Sequence, residues 1–114
     1  MTAGNDIDRI VGYFEGRPEV SALYVFGSFG KGAATRGSDI DIAVLVGLEG
    51  LEGRAYGSLQ EEYYEASRGF SAKSVDIIIL NTASSFLRDQ ILKTGKVLLD
   101  RGIRREVAGP SVSG

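Results

Sequence analysis

Residues 39–46 leave a folding chain little choice. Ile40, Ile42, Val44 and Val46 recur at the period of two that a strand imposes and so fall on one face. The same period puts Asp39 and Asp41 together on the opposite face, about 7 Å apart along the backbone. An apolar strand face needs a covering layer, and the neighbouring segments supply one. In residues 6–15, Ile7, Ile10, Val11 and Phe14 follow the i, i+3, i+4, i+7 spacing of an amphipathic helix, which Gly16 and Pro18 end.

The remainder reads as further elements of a small sheet. Residues 22–26, Ala-Leu-Tyr-Val-Phe, form a β-prone run that predicts a buried strand over 20–26. Residues 27–38 carry Gly27, Gly30, Gly32 and Gly37 and are expected to form a loop with room for one helical turn. A turn over 47–50 precedes a weaker helix over 52–67, with Ala55, Tyr56, Leu59 and Tyr63 on one side. Gly53 and Gly57 each cost that helix about 1 kcal/mol. Residues 73–80 predict a third strand. Asn81 or Thr82 then caps a helix containing Phe86, Leu87, Ile91 and Leu92 that Gly95 closes, and 96–99 add an edge strand. The expected fold class is α/β (α+β): a small mixed β-sheet flanked by helices. A single domain over 1–101 is expected, followed by a tail over 102–114 that is basic at Arg104 and Arg105, then Gly/Ser-containing and flexible.

Two absences narrow the chemistry. The 114 residues include neither cysteine nor histidine. That excludes disulfides, thiolate nucleophiles, imidazole bases and zinc sites of the Cys or His type. Any catalysis rests on carboxylates, hydroxyls, Lys, Arg and backbone amides, a set whose oxygen ligands suit Mg²⁺ or Mn²⁺. The net charge of −2 is unlike that of a generic nucleic-acid binder. No apolar run approaches the roughly 20 residues of a membrane helix, and no leader-like segment opens the chain, so a cytoplasmic location is expected.

Chemistry concentrates in Gly27-Ser28-Phe29-Gly30-Lys31-Gly32 and Ser38-Asp39-Ile40-Asp41. A glycine turn leaving a strand brings backbone N–H groups close to an anion, and Ser28 adds a hydroxyl. Lys31 or Arg36 can neutralise triphosphate oxygens. Asp39 and Asp41 on one strand face can share one divalent ion, or a pair about 4 Å apart. Asp76 interrupts the otherwise apolar run 75–80 and joins that face if the third strand lies beside the second. There it would act as general base or metal ligand; the alternative is an exposed ion pair with Lys73. Tyr56, Tyr63 and Tyr64 read as core and partner-facing surface. The cluster Arg101, Arg104, Arg105 reads as a solvated end.

Gly27-Ser28, ten intervening residues and Asp39-Ile40-Asp41 resemble the signature of the DNA polymerase β-like nucleotidyltransferase superfamily. Asp76 matches its third acidic residue. The ending Ile91-Leu92-Lys93-Thr94-Gly95-Lys96-Val97-Leu98-Leu99 is similar to that of minimal nucleotidyltransferases, and the resemblance covers residues 5–100. It implies that Gly27, Ser28, Lys31 and Ser38 bind the nucleotide, ATP. It further implies that Asp39, Asp41 and Asp76 are catalytic and hold Mg²⁺, or Mn²⁺ in its place. Lys31 stands where many relatives carry Arg. Many members act as antitoxins that attach AMP to a tyrosine of a helical HEPN ribonuclease toxin, so a HEPN partner and a homo- or hetero-oligomer are implied. The competing readings are nucleotidylation of a small molecule such as an aminoglycoside, and an antitoxin that masks its partner by binding alone.

Overall fold

The computed structural model describes residues 3–30, 32, 37, 39–47, 56–70 and 74–101. Lys31, Ser38, Arg36, Lys73 and the tail from 102 onward lie outside them, as does most of the expected 47–50 turn.

In chain order come α1 (Ala3–Glu15), β1 (Val20–Phe26), a one-turn α2 (Gly27–Gly30) and β2 (Ile40–Val46). Then follow α3 (Tyr56–Ser67), β3 (Val75–Ile79), a 3-10 turn (Leu80–Thr82), α4 (Ser85–Thr94) and β4 (Lys96–Asp100). The four strands form one mixed sheet in the order β3-β2-β1-β4. β1 runs antiparallel to both β2 and β4, while β3 is parallel to β2. Because a parallel neighbour cannot be reached by a tight hairpin, the chain crosses over through α3 to return in the same direction.

Period two along the strands sorts the residues into two layers. Leu23, Val25, Ile40, Ile42, Val44, Ile77 and Ile79 pack with Ile10 and Phe14 of α1 and Leu59 and Tyr63 of α3. These four helix residues are fully buried, a gain of about 1.5–3 kcal/mol for each apolar side chain. On the other face Ala22, Tyr24 and Ala43 pack with Leu80 and Ile91 of the α4 side.

A buried polar network ties the first layer together. The Tyr63 hydroxyl donates to Glu19 Oε2 at 2.6 Å, and Arg17 Nε donates to the same oxygen at 2.9 Å. Arg17 also pairs with Glu62 and lies over the Tyr13 and Tyr63 rings. Burial pushes the Glu19 carboxyl up, but the hydrogen bonds from Tyr63 and Arg17 outweigh it and hold Glu19 below the usual carboxylate range. Burial first, then the bond to Glu19, pushes the Tyr63 phenol up.

Three local expectations are corrected. Asn81 does not cap α4. Its amide accepts from Val46 N and donates to Val46 O, both at 2.8 Å, and so continues the β2 ladder beyond the end of β3. A primary amide offers the same donor and acceptor as a peptide unit, and Ser84 takes the cap by accepting from Leu87 N. Gly95 does close α4, but with an extended backbone (φ −79°) rather than a left-handed one. Arg101 is not a solvated end. Its guanidinium donates to the carbonyls of Phe14, Glu15 and Arg17 and so caps the C-terminus of α1.

Candidate active site

The two ends of the expected signature meet where β1 gives way to α2. Gly27 adopts a left-handed φ of 65°, a conformation that favours glycine. A β-carbon there would collide with Asp41 Oδ2, so the backbone turn rests directly on the carboxylate. Ser28 follows at the start of α2 and is exposed, its hydroxyl open to a ligand. α2 is itself seated on the end of α4. A β-carbon on Gly30 would stand 2.8 Å from Val25 O and 3.2 Å from Gly95 Cα, and one on Gly95 would stand 2.6 Å from Ile91 O. Neither glycine has room for a side chain. Sequence reading explained Gly30 and Gly95 by loop and cap preferences and missed this contact, for which one-dimensional spacing carries no signal.

Asp41 lies on β2, opposite Phe26 of β1 and beside Asp76 of β3. Paired residues on neighbouring strands share a face, and the strands are about 4.8 Å apart. Asp39 directly precedes β2 and by the same alternation faces the same way. Burial first, then the charges of Asp76 and Asp39, pushes the Asp41 carboxyl up from the ordinary aspartate value. Asp41 therefore feels the negative charge of both neighbours.

The run 75–80 is apolar enough for complete burial, yet Asp76 is exposed: Val75, Ile77 and Ile79 turn to the face covered by α1 and α3, and Asp76 turns away from it. Its alternative partner Lys73 lies outside the described residues, as do Lys31 and Ser38. The structure thus brings together Gly27, Ser28, Asp39, Asp41 and Asp76.

The donor set is all oxygen, which suits a hard divalent cation. Among the described residues no side-chain cation pairs with Asp39, Asp41 or Asp76. Nor are three carboxylates already drawn together at metal-holding separation among those residues. Among the described residues the arrangement is an acidic rim without a compensating side-chain cation.

Residues 8–104 match the polymerase beta nucleotidyltransferase family. The chain belongs to that family. Over 81 residues this nucleotidyltransferase chain is 36% identical to protein adenylyltransferase MntA of Shewanella oneidensis, a match taking in 71% of the chain and 55% of that protein. It therefore spans about half the length of this curated relative. Among solved structures it resembles a chain of the MntA–HepT toxin–antitoxin complex, with a TM-score of 0.64, 25% identity and 98% and 85% of the two chains covered. It also resembles a chain of a toxin–antitoxin complex with AMP-PNP, with a TM-score of 0.60, 25% identity and coverage of 95% and 98%. No helix among the described residues is long and apolar enough to cross a membrane.

Proposed function

We propose that this chain is a Mg²⁺-dependent protein adenylyltransferase of the cytoplasm that moves AMP from ATP onto a hydroxyl of a partner protein. The acceptor in this reading is a tyrosine of a HEPN-type ribonuclease toxin, and its modification makes the chain an antitoxin. The observation that carries the reading is the register of Asp41 against Asp76 with the Gly27–Ser28 turn resting on Asp41. The relative MntA, named a protein adenylyltransferase, and the neighbouring complexes with HepT and with AMP-PNP support the substrate and the partner.

The residues divide the work by position. Ser28 and the amides of its turn orient the triphosphate, and Lys31 and Ser38, outside the described residues, join them in this reading. Asp39 and Asp41, with Asp76 as a further ligand, would hold Mg²⁺, which supplies charge neutralisation at the phosphates when bound. Asp76 faces solvent at the sheet edge, where an acceptor hydroxyl can approach it and hand over its proton. The hydroxyl oxygen forms a bond to the α-phosphorus, the bond from that phosphorus to the bridging oxygen breaks, and pyrophosphate leaves.

Co-expression with a HEPN-type helical partner protein is expected to add one or more AMP units to it, read by intact mass. An unmodified partner in the presence of ATP and Mg²⁺ overturns the proposal. A second reading has one observation in its favour: Phe86 and Leu92 of α4 and Val97 of β4 are 75%, 49% and 51% exposed, apolar side chains that a partner could cover without chemistry. If Asp41→Ala neutralises the toxin as well as wild type does, masking replaces transfer.

A further inference from the structure

A groove of about 390 Å³ opens between β3 and α3. Asp76 and Ile77 of β3 line one side, and Gly57, Gln60, Glu61 and Tyr64 of α3 line the other wall. It shares one residue, Asp76, with the acidic rim. We propose that this groove is the acceptor subsite and that it receives a segment of the partner protein carrying a basic residue close to the accepting hydroxyl. The inference rests on the transfer reading above and assigns the side from which the acceptor enters.

Topology supplies the first argument. The Gly27–Ser28 turn flanks Asp41 from β1, so the triphosphate lies on that side of β2. β3 flanks Asp41 from the other side and ends the sheet. An acceptor that must meet the α-phosphorus opposite the leaving pyrophosphate therefore comes from the β3 edge, and the groove borders Asp76 there.

The lining supplies the second. Its charged side chains are the carboxylates of Glu61 and Asp76, both exposed; Asp76 serves the transfer site, which leaves Glu61 to meet the incoming segment. Neither pairs with a cation among the described residues. That favours a cation on the incoming segment and disfavours a second anion such as a nucleotide phosphate. Tyr64, 55% exposed on the wall, offers a ring face to the cation or to an acceptor aromatic. Gln60 donates to Ile77 O at 3.1 Å, which occupies one outward carbonyl of the edge strand and leaves the groove beside it for side chains.

Gly57 supplies a direct test. It lines the groove from α3, and a β-carbon added there would meet nothing within 4 Å, so the position accepts a side chain directed at the groove as a steric probe. Steady-state transfer to the partner protein is measured for Gly57→Phe, Glu61→Arg and Tyr64→Ala. Glu65→Arg, on the same helix but outside the groove, serves as the charge control. KM for the partner is expected to rise about tenfold or more for Gly57→Phe and Glu61→Arg, with KM for ATP moving less than about twofold. Unchanged partner KM in both variants overturns the inference. So does a rise in KM for ATP instead, which would make the groove a nucleotide subsite. An equal rise in Glu65→Arg also overturns it, because general charge would then be the cause. Wild-type chain that transfers no AMP to any protein defeats the underlying reading, whereas active wild type with indifferent groove variants defeats this inference alone. Circular dichroism on each variant separates loss of groove function from loss of fold.

Discussion

Asp41 and Asp76 occupy paired positions on the parallel strands β2 and β3, so two carboxylates stand side by side on one sheet face. With Asp39 just before β2, the sheet gathers negative charge at one corner and leaves it uncompensated among the described residues. A fold selected for stability alone would not do this. The cost is sensible if a cation and a triphosphate complete the site, and it makes several outcomes measurable.

Replacing Asp41 by Asn is expected to lower transfer about 10²-fold or more while leaving the fold intact or stabilised. The folded pKa of Asp41 is raised above its unfolded value. Its contribution to stability is therefore fully present below the unfolded pKa and is lost as pH rises through the folded one. Thermal unfolding from about pH 4 to pH 8 should show wild type losing ground to the Asn variant as pH increases. Mg²⁺ should raise the wild-type midpoint and leave that of the variant nearly unchanged. Superimposable profiles would count against repulsion at this corner.

Gly27→Ala is expected to cost about 1–2 kcal/mol in left-handed strain alone. The new methyl group also falls on Asp41 Oδ2 and must displace the carboxylate. A displacement of about 1 Å at a reacting centre can cost about 10²-fold in rate. Urea unfolding and single-turnover transfer should therefore both worsen. Gly12→Ala, in the exposed middle of α1 with open space around it, should instead stabilise by about 1 kcal/mol.

Tyr63→Phe removes the donor at 2.6 Å from the buried Glu19 carboxylate and should cost about 1–3 kcal/mol. Glu19 has a depressed folded pKa, so its contribution is present above the unfolded carboxylate pKa and is lost as pH falls through the folded value. Without the Tyr63 bond that folded value rises, and acid unfolding should begin at higher pH. Acid titration followed by circular dichroism reads the shift directly.

Arg101→Ala should loosen the last turn of α1 by about 1–2 kcal/mol, because two of its carbonyls, on Phe14 and Glu15, and that of Arg17 just beyond it lose a charged donor. Hydrogen exchange is expected to quicken at the C-terminal end of α1 while the α3 amides keep their protection. Uniform acceleration across the chain would mean that the cap holds the whole fold together rather than one helix end.

Much of this molecule was legible in one dimension. Ile40, Ile42, Val44 and Val46 alternate, and Ile10 and Phe14 repeat at helical spacing, because burial on one face leaves a periodic trace in any sequence. Gly27-Ser28 and Asp39-Ile40-Asp41 also announced their chemistry, since few residue types bind phosphate or a hard cation and their spacing is set by one short connection. The sequence by itself determined which side chains were available and which of them a single strand would align.

Only the tertiary structure decided what depends on the neighbours of each strand. Asp76 belongs beside Asp41 because α3 carries the chain across to a parallel register, and it is exposed because strand alternation turns it away from the face that α1 and α3 bury. Asn81 became a ladder residue and Ser84 the helix cap because Val46 happens to end where Asn81 begins to reach. Arg101 found the end of α1 from more than eighty residues away. Gly30 and Gly95 are glycines because two backbones touch there. Periodicity records burial and local geometry, whereas register, edge position and backbone contact arise from pairing between distant segments, which no local spacing encodes.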